Sequence, residues 1–323
     1  MARHRTRREF LRDVGTTAAV VAGLTRAWDG TAHAAVAPGK LRFGIQARPE
    51  HVTYADMRRV WREADELGLD SAFTFDHFMP IDGRPEGACF EGWTMLSALA
   101  AQTERIRVGV LVTGNTYRFP AVLAKMAATV DHVSNGRLIL GIGAGWFERE
   151  HAAYGIPFHT PGGRARRMVE AVEVVKMLFT QERSTFEGKY YRLADAPFQP
   201  RAVQRPHPPI LIGGMGPKVV QPCAAKHAQI WHFFVRDGVD EVRRTVVAFD
   251  ALVRQAGREP AEVEKSVSLR PPDIAGKPAK EVRAHVQALA DAGVGHFILS
   301  LPAPYDWEVL RRYAKEVAPA FRG

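Results

Sequence analysis

The sequence predicts an α/β fold, a (β/α)8 barrel with one insertion, and three observations lead there. Apolar runs alternate with helix-period segments from Lys40 onward, giving eight strand–helix pairs in roughly 280 residues, the usual size of such a barrel. The best-defined stretch, residues 108–146, is itself a complete strand–helix–strand unit. Its apolar runs at 108–112 and 138–142 do not alternate, as expected of parallel strands buried on both faces. Polar residues or glycines follow each strand, so repeating the unit would collect them on one rim. An open doubly wound sheet is the alternative, and it usually has fewer strands.

The chain opens on a targeting pattern. Thr6-Arg7-Arg8-Glu9-Phe10-Leu11 is a twin-arginine motif, a mildly apolar run follows at 14–24, and Ala32-His33-Ala34 has the small-x-small form of a cleavage site. Residues 1–34 are therefore read as a cleaved signal, handled by the twin-arginine translocase and leaving the protein in the periplasm, envelope or extracellular space. That route carries folded proteins, often with a cofactor already loaded.

Strands are expected at 41–47, 71–75, 106–112, 138–142, 210–212, 230–235, 265–269 and 297–301. Helices are expected near 54–67, 93–103, 121–133, 164–178, 218–226, 239–255, 280–290 and 307–317. The helix at 121–133 starts behind Pro120 and ends before Gly136, with Val122, Met126, Val130 and Val133 on one face. The 28 residues at 181–208 exceed an ordinary connection, and 184–191 reads as a hairpin turning at Glu187-Gly188. It is either a lid over the site or part of a subunit contact.

Composition narrows the function. The formal charge is +9, but the excess of arginine in residues 1–34 accounts for three charges. The remainder is dispersed, with no basic run beside aromatic residues, so nucleic-acid binding has little support. No apolar run approaches the roughly 20 residues that span a bilayer. Cys89 and Cys223 lack disulfide or metal-ligand spacing and read as small packed residues, and the histidines lack paired metal spacing, so no metal is assigned.

A barrel of this kind places its site at the C-terminal strand ends. Those ends supply Gln46, Asp76-His77, Thr113-Gly114-Asn115, Gly143-Ala144-Gly145-Trp146, Gly213-Gly214-Met215-Gly216, Phe234, Arg270 and Ser300. Titratable groups are scarce and no nucleophile elbow appears, which suits a bound cofactor better than hydrolysis. Gly141-Ile142-Gly143-Ala144-Gly145 is not a dinucleotide fingerprint, because Trp146 occupies its third position. The turn at Gly213-Gly214-Met215-Gly216 offers either backbone donors to a phosphate or simply a tight turn. His77 is either a core histidine held by its neighbour or a functional group aimed at the rim, and as an acid/base it would have Asp76 to orient it.

Taken in order, these pieces resemble the bacterial luciferase-like superfamily of flavin and deazaflavin enzymes, in its coenzyme F420-dependent branch. The resemblance rests on Asp76-His77-Phe78, Glu91-Gly92-Trp93, residues 111–118 (LVTGNTYR), Ser134-Asn135-Gly136-Arg137, Gly143-Ala144-Gly145-Trp146 and residues 208–214 (PPILIGG), and it spans about residues 42–318. It implies a homodimer with F420, or alternatively FMN, across the barrel mouth. A bulge at Val110, Leu111 and Val112, often with a non-proline cis peptide, would back the ring. Thr113, Gly114, Asn115, Gly143, Ala144, Gly145, Trp146, Gly213, Gly214, Met215 and Gly216 would line ring and phosphate. His77 matches the histidine that handles the substrate hydroxyl proton in the family's dehydrogenases. Three departures stand out: Trp146 replaces the glutamate that pairs with that histidine, Ile81 replaces a tryptophan, and Ala228-Gln229-Ile230-Trp231 lacks a usual aspartate. The expected function is hydride transfer between F420 and a small organic substrate. The alternatives are an FMN-dependent monooxygenase and a non-catalytic ligand-binding barrel.

Overall fold

The computed structural model describes residues 40–322. The expected twin-arginine segment lies outside the described residues. The parallel strands are β1 (Arg42–Ala47), β2 (Ser71–Thr74), β3 (Arg107–Val110) with its continuation β4 (Thr113–Gly114), and β5 (Leu138–Gly143). After a hairpin of β6 (Arg183–Glu187) and β7 (Arg192–Pro197) come β8 (Ile210–Gly213), β9 (Ile230–Phe233), β10 (Glu264–Leu269) and β11 (His296–Leu301). The ladder runs β3-β2-β1-β11-β10-β9-β8-β5, and pairing of β3 with β5 closes it into the eight-stranded barrel.

The helices are α1 (Tyr54–Glu66), α2 (Gly92–Ala100), α3 (Pro120–Val133), α4 (Glu148–Ala153), α5 (Pro161–Thr180), α6 (Val220–His227), α7 (Val239–Gln255), α8 (Pro271–Ile274), α9 (Ala279–Asp291) and α10 (Trp307–Arg312). Their starts follow from sequence. Thr53 and Asp56 form a capping box on α1, Glu91 accepts from the Trp93 and Thr94 N–H groups of α2, and Pro120 and Pro161 open α3 and α5. One large apolar layer packs between barrel and helices, while Phe73, Leu111, Ile139, Leu211, Ile230 and Ile298 form a second cluster. The expected face of α3 is half right, for Val130 is buried and Met126 packs against the core. Val122 and Val133 are exposed, and Leu123, Ala124, Ala127, Ala128 and Val130 are buried. The alanines let α3 lie close against α5 and fill most of the inner face, with Leu123 and Val130 beside them.

Strand three is not one run. It breaks between β3 and β4, where the Leu111–Val112 peptide is cis, within the expected bulge. Neighbouring glycines admit that break. A Cβ on Gly141 would stand 2.0 Å from the Val110 carbonyl oxygen, and one on Gly143 would stand 2.7 Å from Val112 Cγ2. Gln46 Nε2 donates to the Leu111 carbonyl at 2.6 Å, fixing the bulge from β1.

The insertion is a hairpin, as expected. Glu170 of α5 receives the backbone N–H groups of Lys189, Tyr190 and Tyr191 at its tip. None of residues 181–208 lines the mouth cavity, so the hairpin is no lid in this state.

Candidate active site

A cavity of about 450 Å³ opens at the C-terminal ends of the strands. Leu111, Val112, Thr113 and Gly114 from strand three, the turn at 143–146 and the turn at 213–216 all line it, together with Asp76 and His77. Two expected lining residues do not. Val110 is buried in the main core, and Asn115 turns outward so that its Nδ2 donates to Tyr191 Oη at 3.2 Å. Of the remaining strand ends, Gln46 and Phe234 line the cavity and Arg270 and Ser300 do not.

His77 stands at the end of β2 with its ring nearly buried. Its Nδ1 donates to Glu150 Oε1 at 3.2 Å, which leaves Nε2 as the uncommitted ring nitrogen. Phe75, Trp146 and Phe147 surround the ring edge-to-face at 5.0–5.7 Å between centroids. The expected orienter, Asp76, makes no hydrogen bond to the His77 ring. Its carboxylate binds Arg118 through both oxygens, at 2.7 and 2.9 Å, and receives the Gly114 N–H at 3.1 Å. Arg118 and the Gly114 N–H hold the Asp76 carboxylate, so the chain neighbour of His77 is committed elsewhere.

Glu150 takes the role expected of Asp76. It lies in α4, four residues beyond Trp146, and is fully buried. Besides His77 it accepts from Tyr117 Oη and from the backbone N–H groups of Phe78 and Met79. Burial alone would raise its pKa, but the donors from His77, Tyr117 and Phe78 outweigh it and hold the carboxyl below its ordinary value. Burial beside Glu150 pushes the Tyr117 phenol far up, so the phenol stays protonated as a donor. Burial raises the Asp76 carboxyl against the pull of Arg118. Arg118 also contacts Glu91, so this cluster ties the strand-three loop to the cap of α2.

The opposite wall holds His232 and Ser268, neither anticipated as a site residue. His232 Nδ1 lies 2.9 Å from Ser266 Oγ and Nε2 3.3 Å from Ser268 Oγ. Burial pushes the His232 pKa down to about 3, so the ring is neutral. Both cysteines are unreactive thiols, raised by burial to about 12.

The residues present fit a flat, anionic ring cofactor. A Cβ on Gly213 would stand 3.0 Å from Val112 Cγ1, so glycine there lets β8 and the bulge approach closely along the cavity floor. Gly214 holds φ +128°, which favours glycine, and its N–H is taken by the His232 carbonyl at 3.0 Å. The donors that turn offers a phosphate are therefore those of Met215 and Gly216, fewer than the sequence suggested.

A parallel barrel whose C-terminal mouth sets a histidine–carboxylate pair above a glycine-floored apolar cavity defines an enzyme that works through a bound cofactor. The chain belongs to the luciferase-like monooxygenase family, whose profile matches residues 32–319, and is an oxidoreductase. It is 28% identical to the F420-dependent glucose-6-phosphate dehydrogenase of Kineococcus radiotolerans over 87% of this chain and 97% of that protein. It is 32% identical to an FMNH(2)-dependent dimethylsulfone monooxygenase of Pseudomonas putida, over 58% of this chain and 51% of that one. Its fold is similar to that of an F420-dependent secondary alcohol dehydrogenase solved with an F420-acetone adduct, with a TM-score of 0.78, 22% identity and coverage of 88% and 100%.

Proposed function

We propose that this protein is an F420-dependent dehydrogenase or reductase that moves a hydride between the deazaflavin and a hydroxyl or carbonyl carbon. The carrying observation is the His77–Glu150 pair at the cavity wall. Bound F420 would supply or accept the hydride, and the protein's part is to handle the proton. With Nδ1–H committed to Glu150, His77 has Nε2 left to accept a substrate hydroxyl proton. Glu150 then stabilises the imidazolium that forms. In the reverse direction the same nitrogen returns the proton to a carbonyl oxygen. The bulge at Leu111 and Val112 and the glycine turns would bed the ring, and Met215 and Gly216 would meet its phosphate.

Kinship with an F420-dependent relative over 87% of the chain, against 58% for the FMNH(2)-dependent one, supports this cofactor over FMN. Titration with F420 and separately with FMN, followed by tryptophan fluorescence, tests it. Micromolar or tighter binding of F420 alone is expected. Preference for FMN would move the reading to oxygen chemistry, and binding of neither would overturn it.

The twin-arginine motif at Arg7 and Arg8 supports export of the folded, loaded enzyme. Changing both to lysine should retain it inside the cell. Phe119, 73% exposed, and Val122 on α3 form an apolar face suited to a homodimer contact. Light scattering of F119E against the parent reads whether that face joins two copies.

A further inference from the structure

The helix that carries Glu150 has little of its own to hold it in place. α4 is six residues long, too short to be stable alone. No side chain caps its start, and Glu150 and His151 are the only residues it buries. We propose that His151, pinned to Thr116, is a positioning residue of this site, fixing α4 so that the Glu150 carboxylate meets His77. The inference rests on the dehydrogenase reading, which gives that pair its purpose, and deepens it.

His151 is fully buried, and both of its ring nitrogens are engaged. Nδ1 donates to the Phe147 carbonyl at 2.7 Å, whereas the His151 backbone N–H reaches that same oxygen only at 3.4 Å. The side chain therefore closes the first turn of α4 more tightly than the backbone does. Nε2 pairs with Thr116 Oγ1 at 2.7 Å, a bond that crosses from α4 to the strand-three loop. Thr116 lies against the mouth turn, where a Cβ on Gly145 would stand 2.7 Å from its hydroxyl oxygen. Phe158 packs on the His151 ring at 4.7 Å and lies under the Arg164 guanidinium at 3.8 Å. Arg164 Nε in turn donates to the Gly145 carbonyl at 3.0 Å. Turn, helix and loop are thus tied through one imidazole. Glu150 reaches His77 through several rotatable bonds, so their pairing depends on where α4 stands.

T116V breaks this tie without touching Glu150 or His77, because it keeps the shape of the side chain and removes the hydroxyl. The full-length protein with isotope-labelled histidine is read by proton–nitrogen correlation of the imidazole rings. E150Q supplies the reference for a His77 ring that has lost its carboxylate. In T116V the His77 Nδ1 resonance should move from its parent position towards that in E150Q. The movement should be partial, since losing one hydrogen bond shifts a balance only roughly fivefold. T116S should keep the parent position, and T116V added to E150Q should move the resonance no further. Should T116V fail to fold, H151N asks the same question, since its amide keeps the reach to the Phe147 carbonyl and loses Thr116. A His77 resonance unmoved in the folded variant, moved equally in the E150Q background, or not restored by T116S overturns the proposal. The spectrum needs neither cofactor nor substrate. Failure to bind F420 therefore strikes the dehydrogenase reading alone, and an unmoved His77 resonance strikes this inference alone.

Discussion

Two buried carboxylates flank His77, and they serve different ends. Asp76 is its chain neighbour but faces Arg118 and the Gly114 N–H, so it secures the strand-three loop. Glu150 is 73 residues away in sequence and holds the ring. The Asp76 cluster is a structural tie among three charged groups, Asp76, Arg118 and Glu91. The Glu150 cluster is a set of donors converging on one carboxylate beside the cavity. The contrast teaches that a chain neighbour can be claimed by another group, whereas a short helix after another strand can bring a partner to the ring nitrogen.

The largest effect expected is on His77 itself. H77A should lower turnover about 10²- to 10⁴-fold, the usual worth of a general acid or base, while F420 binds as before. A single-turnover assay beside the fluorescence titration reads both. Lost cofactor affinity would make His77 a ring contact and leave Glu150 without a catalytic client.

The two carboxylates should then separate in opposite directions. D76N strips Arg118 of its bidentate partner in the interior and should cost about 3 kcal/mol of stability, read as a lower urea midpoint. E150Q keeps the shape and loses one charged acceptor, so kcat should fall about 10- to 100-fold with KM little changed. If E150Q lowered only stability, or D76N lowered kcat at full stability, the two assignments would be exchanged.

Acid sharpens the comparison further. The His232 pKa is depressed from 6.5 to about 3, and the His227 pKa from 6.5 to about 4, both by burial. Below 6.5 the unfolded chain binds protons that the folded rings refuse, so stability falls as pH drops through that window. Glu150 is a depressed carboxyl, so its contribution is complete above 4.5 and is lost only as pH falls below that. Urea midpoints across pH should therefore decline early in the parent and H77A. H232N should flatten the upper part of the decline and leave the lower part in place.

Much of this architecture was legible in the sequence for a physical reason. Strands buried on both faces must be apolar throughout, and glycines at their ends mark where backbones approach, as at Gly141, Gly143 and Gly213. His77 was legible because it ends such a strand. Glu150 was not: α4 has six residues, too few to show a period. Half of the inner face of α3 was missed because alanine signals close approach less loudly than valine signals burial.

The smallest expected effect tests whether Glu150 acts alone. Tyr117 reaches it because Gly114 has no side chain: a Cβ there would stand 2.4 Å from the Tyr117 ring. The phenol donates one hydrogen bond to a carboxylate that keeps His77 and the Phe78 N–H as donors. Y117F should therefore cost about 1 kcal/mol of stability and slow turnover no more than about fivefold. Differential scanning calorimetry and steady-state rates measure the two. A loss as large as that of E150Q would mean that the phenol, through the carboxylate, sets the orientation of His77, and the pair would then have to be treated as a triad.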